Sequence, residues 1–154
     1  GGGLGVLAAA AEPRIRALVT WAAISDVSRH SPEEVAAWRA RGQLDVVNSR
    51  TGQVLPILTD VLDDVIRHGS TLLDIRAAAA RLDIPWLVVH GDSDVTVPVA
   101  EARALHAAAG ATAELMVVPG AGHTFEAVHP WQGPTPAFAA VADASVAWFG
   151  RHLR

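Results

Sequence analysis

An α/β fold built on a parallel sheet is what this chain of 154 residues predicts, and three observations predict it. Ile84-Pro85-Trp86-Leu87-Val88-Val89-His90 is a nearly continuous apolar run, the pattern of a strand buried on both faces. A second short apolar run, Glu114 to Val118, follows it, and the connection between the two holds a helical pattern long enough for a parallel crossover. Along the whole chain the order reads helix, strand, helical insertion, strand, helix, strand, helix, which is the alternation of α/β proteins.

The elements follow in turn. Gly3 to Ala11 is a small-residue helix, favoured by its alanines and stopped by Pro13. Ile15 to Ala22 reads as a strand. Ser31-Pro32-Glu33-Glu34 is a helix start: Ser31 caps, Pro32 suits the first helical position, and Glu34 completes a capping box. That helix carries Val35 and Trp38 on one face and ends at Gly42. Residues 43–53 read as an irregular polar loop. Leu55, Leu58, Leu62, Val65 and Ile66 then recur at helical spacing as far as Gly69. A short helix is expected near 74–81. Pro98 opens a helix through Ala109, broken by Gly110, and Thr135-Pro136 opens a last one with Phe138, Val141, Ser145 and Trp148 on one stripe. Residues 1–25 and 77–154 therefore form the α/β core, and residues 26–76 a helical insertion beside the sheet, a cap or lid.

Composition closes several routes. The chain has no Cys, which removes thiolate catalysis, Cys-based zinc sites and disulfides, and fits a reducing, cytoplasmic compartment. It has no Lys, so Schiff-base, Ser-Lys and P-loop chemistry have no lysine to use. Net charge is −4 with no basic cluster, which gives no support to nucleic-acid binding. No apolar run reaches the ~18 residues of a membrane span. Gly1-Gly2-Gly3 lacks the spacing and the preceding strand of a dinucleotide fingerprint, and no cofactor is expected. Asp, Glu and seven His remain for acid-base work.

Two of these fall at telling places. Asp94 lies four residues beyond His90, at the end of one strand, and His123 lies five beyond Val118, at the end of the next. Parallel strands send their carboxyl ends to one edge, where open α/β sheets bind ligands. If the strands are neighbours, Asp94 can accept a hydrogen bond from one ring nitrogen of His123 and leave the other free as a base. Gly120 and Gly122 let the His123 loop turn tightly. The plainer alternative makes His123 a solvated loop histidine and Asp94 a turn residue. Asp92-x-Asp94 has a calcium-loop flavour, but its sixth position is Val97 and its twelfth Arg103. His90, Asp92 and Asp94 are a conceivable metal set, set against a His90 that points into the strand layer. Asp26 is a possible second acid, and His129 a possible rim residue. Neither Ser25, Ser93 nor Ser145 has the glycine frame of an activated serine.

His90-Gly91-x-x-Asp94-x-x-Val97-Pro98 followed by Gly120-Ala121-Gly122-His123-Thr124-Phe125 resembles the C-terminal half of an α/β-hydrolase, in particular the dienelactone-hydrolase and prolyl-oligopeptidase-like esterases and peptidases. The resemblance covers residues 1–25 and 77–154. It implies that Asp94 is the acid and His123 the base of a Ser-His-Asp triad, with no metal. It also implies that the serine, in a Gly-x-Ser-x-Gly elbow, lies just upstream of Gly1, with Gly1-Gly2 matching the glycines after it and Leu4 to Ala11 its helix. The expected partners are an ester, thioester or peptide acyl substrate and the N-terminal portion of the same fold. By itself the chain is then expected to be inactive. Two other classes stay open: a non-catalytic binding protein that keeps the fold, and a metal-dependent hydrolase.

Overall fold

The computed structural model describes residues 1–48 and 51–153. In chain order the elements are α1 (Gly2–Ala11), β1 (Leu18–Trp21), α2 (Pro32–Arg41), β2 (Gln43–Val47), β3 (Val54–Leu58), α3 (Thr59–His68), α4 (Ile75–Ala80), β4 (Trp86–Gly91), α5 (Val99–Ala109), β5 (Ala113–Val118) and α6 (Pro136–His152). They form two compact units, one of Gly1–Asp26 with Ile75–Arg154 and one of Val27–Asp74.

The first unit is an α/β layer structure on a parallel sheet of order β1-β4-β5. β4 is central, and all six of its residues are buried. Its pleat divides them. Leu87 and Val89 join Val118, Phe125, Val141 and Trp148 in the core beneath α6. Trp86, Val88 and His90 point to the opposite face by the period of two, on the side where α5 packs against β4 and α4 against α5. The one polar group that Trp86 brings inside is satisfied, since its indole N–H donates to Thr20 Oγ1 at 3.0 Å. α6 starts as its sequence requires: Thr135 Oγ1 accepts from Phe138 N, and Pro136 follows at the first helical position.

α1 is made of small residues because its neighbours lie against its backbone. A Cβ on Gly2 would stand 2.5 Å from Ala23 Cβ, and one on Gly3 2.7 Å from Ile75 Cδ1. β1 is shorter than the run Ile15–Ala22. Only Leu18–Trp21 pair with β4, because the chain first turns at Ile15 N→Glu12 O and leaves the strand direction at Ala22, whose φ is 47°.

In the second unit the sequence expectation needs correction. Residues 43–47 are not a loop but a strand, and Leu55 and Leu58 do not begin a helix. β2 and β3 form an antiparallel pair from Gln43↔Leu58 to Val47↔Val54. Pro56 explains part of the error: it lies between the two leucines, and a proline is tolerated in a two-stranded ribbon whose strands are both edges. The helix starts only at Thr59. Ser49 and Arg50, within the expected loop, lie outside the described residues. α2 has the capping box that its sequence spells, with Glu34 N donating to Ser31 Oγ and Ser31 N to Glu34 Oε2. Trp38 is buried, and its indole donates to Ile57 O at 3.0 Å, pinning α2 to the ribbon. Val35, Trp38, Ile57, Val61, Leu62 and Val65 line an apolar cleft of about 330 Å³ within this unit.

Candidate active site

The register of the sheet aligns Gly91 with Val118, so β4 and β5 end side by side. The loops that leave them are held together at several points. A Cβ on Gly91 would run into the backbone carbonyl of Ala121, so only glycine allows the approach. Ser93 N donates to Ala121 O at 3.0 Å, Asp92 N to Val118 O at 3.2 Å, and Gly120 N to Asp92 Oδ1 at 2.7 Å. Asp92 thus ties one loop to the other. The second loop closes on itself where Gly122 N donates to Glu126 Oε1 at 2.7 Å. Thr135 Oγ1 anchors its far end by donating to Phe125 O. Phe125 and Glu126 take φ values of 52° and 60°, a left-handed pair that these anchors hold in place.

This frame brings Asp94 and His123 together. His123 Nδ1 lies 2.8 Å from Asp94 Oδ2. An ionised carboxylate can only accept, so Nδ1 carries the hydrogen and Nε2 keeps a lone pair. The carboxylate is fully buried while the imidazole is 40% exposed. Asp94 Oδ1 accepts from Thr96 N and Val97 N, both at 2.9 Å. Burial works to raise the Asp94 carboxyl, but the Val97 amide, the His123 imidazole and the Thr96 amide outweigh it and hold the group below its ordinary value of 3.8. The pair is therefore a fixed anion orienting a solvent-accessible base.

The other sequence candidates stand elsewhere. Asp26 pairs with Arg76 at 3.7 Å. His129 is exposed. His90, Asp92 and Asp94 do not converge as metal ligands, because Asp92 Oδ1 takes Gly120 N and Ser93 Oγ, while His90 is buried against Val97 O. Among the described residues no group of His, Cys, Asp and Glu is arranged to hold a metal ion, and no helix is long and apolar enough to cross a membrane. The serine hydroxyls are engaged: Ser25 with Glu101 Oε2 at 2.7 Å, Ser93 with Asp92, Ser145 with Val141 O. Sequence reasoning missed the Asp92–Gly120 and Glu126–Gly122 ties; Glu126, four residues after Gly122, was a local signal for the second, and the first joins residues 28 apart and had none.

The comparisons agree with this architecture. A family model described as TAP-like protein matches residues 69–130, which include Asp94 and His123. No curated protein sequence matches the chain. Among solved structures, the esterase domain of a Rhodothermus marinus protein is 18% identical with a TM-score of 0.69, over 100% of this chain and 59% of that one. The monoacylglycerol lipase of Paleococcus ferrophilus is 20% identical with a TM-score of 0.64, over 99% and 65%. Est1E from Butyrivibrio proteoclasticus is 20% identical with a TM-score of 0.63, over 97% and 58%. The chain spans less than two thirds of the length of each. Its fold is that of the α/β-hydrolases.

Proposed function

We propose that this chain supplies the acid and the base of a serine hydrolase. The observation that carries the reading is the 2.8 Å contact between His123 Nδ1 and Asp94 Oδ2 at the carboxyl ends of adjacent parallel strands. The serine is assigned to the part of the fold that precedes Gly1, since no Gly-x-Ser-x-Gly occurs in the chain and the relatives in structure are longer. In the intact protein the serine attacks an ester, thioester or amide carbonyl, and His123 Nε2 takes its proton. Asp94 stabilises the imidazolium, which then protonates the leaving group, and water releases the acyl group by the same relay. The residues Val27–Asp74 are assigned to the cap.

Labelling of the intact protein with a fluorophosphonate tests this. The expected result is one modified serine in the wild type and, in His123→Ala, labelling and ester turnover reduced by about 10²- to 10⁴-fold, the usual contribution of a general base. A wild type that neither labels nor turns over esters, thioesters or amides would instead make the chain part of a non-catalytic binding protein.

A further inference from the structure

His90 is the fully buried titratable group that this relay leaves unused. It is the penultimate residue of strand β4, just before the acid loop, and its Nε2 is 2.7 Å from Val97 O. A carbonyl can only accept, so Nε2 carries a proton. The same Nε2 lies 3.3 Å from Asp94 Oδ2, the oxygen that His123 uses. Its Nδ1 has no hydrogen-bond partner among the described residues. The loop Asp94–Val97 is therefore closed from two sides. The amides of Thr96 and Val97 hold Asp94 Oδ1 from within the turn, while the imidazole of His90 donates to the Val97 carbonyl and lies 3.3 Å from Oδ2.

We infer that His90 is a positioning residue for the acid, its Nε2–H clamping the turn so that Asp94 Oδ2 is presented to His123. The geometry is specific to the far ring nitrogen. A buried apolar side chain of similar size fills the space but leaves Val97 O without its donor, so the turn keeps only the two amide bonds to Asp94 Oδ1 and loses its hold on the Oδ2 side. Glutamine differs: its amide nitrogen reaches about as far from the backbone as Nε2 and restores one N–H there.

The inference rests on the hydrolase reading only where activity is measured, so the test has a part that does not. Ring nitrogen spectra of the 15N-histidine-labelled full chain report the tautomers directly. The expected result is a protonated Nε2 on His90 and a downfield Nδ1–H signal from His123. In His90→Leu the His123 signal is lost to exchange while the amide signals of β4 and β5 persist, and in His90→Gln it returns. A His90 protonated at Nδ1 instead of Nε2 would overturn the inference, as would a His123 signal unchanged in His90→Leu. Should the leucine variant not fold, the tautomer of His90 and the state of His90→Gln still decide. In the intact enzyme His90→Leu is expected to lower kcat about tenfold or more at constant KM, because a small misplacement of the relay is costly in rate, with recovery in His90→Gln. Intact spectra without any ester turnover would refute the serine-hydrolase reading and leave the clamp standing. A changed KM at unchanged kcat would refute the clamp.

Discussion

Replacing Asp94 by asparagine changes one atom and should silence His123 by reversing its tautomer. The amide oxygen of the variant is fixed to the Oδ1 side, because Thr96 N and Val97 N both donate there at 2.9 Å and backbone amides have no alternative protonation. The amide nitrogen then occupies the Oδ2 position, 2.8 Å from His123 Nδ1. Two N–H groups cannot face each other at that distance, so the proton of His123 moves to Nε2 and Nδ1 becomes the acceptor. The nitrogen that must remove a proton from the nucleophile now carries one. Wrong tautomers of this kind cost on the order of 10⁴ in kcat, or about 5 kcal/mol of transition-state stabilisation. The packing is unchanged, so the fold is retained. Two assays apply: steady-state hydrolysis of an activated ester by the intact protein, and the ring nitrogen shifts of His123. Turnover within a factor of ten of wild type would refute the assigned role. A His123 that keeps its Nδ1–H in Asp94→Asn would refute the hydrogen-bond argument beneath it.

Three further outcomes follow from the same contacts. Because the Asp94 carboxyl is held below 3.8, its contribution to stability is fully present above that value and is lost as the pH falls through the lowered folded value; urea unfolding against pH should therefore show an acid limb that Asp94→Asn flattens. Asp92→Asn keeps an oxygen for Gly120 N and should cost under about 0.5 kcal/mol, whereas Asp92→Ala removes the tie between the loops and should cost about 1 kcal/mol in the same assay. Gly91→Ala forces its methyl against the Ala121 carbonyl and should destabilise by about 1–3 kcal/mol, while also weakening the His123 Nδ1–H signal; a neutral result would mean that the loops separate without effort.

The parts of this protein legible in its sequence are those fixed by one segment at a time. β4 and β5 are apolar runs too short for helices, and α2 and α6 announce themselves by Ser31-Pro32 and Thr135-Pro136. The meeting of Asp94 and His123 follows from where each strand ends, given a parallel pair. The ribbon of β2 and β3 was not legible, because Leu55, Leu58 and Leu62 satisfy a helical period by accident and neither strand alternates cleanly between apolar and polar. The tie of Asp92 and the bond from Ser25 to Glu101 depend on segments that meet only after folding, and local pattern carries no record of them.

The placement of β1 bears on how the chain folds. Leu18 pairs with Trp86, whereas Trp86 pairs with Ala113, so the first pairing closes a loop of 68 residues and the second one of 27. For a flexible chain the longer closure costs about 0.8 kcal/mol more. Sheet formation should therefore begin with β4, α5 and β5, and β1 should dock afterwards. The intervening residues do not stay flexible, however. Val27–Asp74 is a compact unit of its own, and at its two stems Arg76 reaches Ser25 Oγ at 3.3 Å and Asp26 at 3.7 Å. Once that unit has folded, the flexible contour between β1 and β4 is reduced to residues 22–26 and 75–85. Variants that weaken the interior of that unit, such as Trp38→Ala, should therefore delay the burial of Trp21 more than the pairing of β4 with β5.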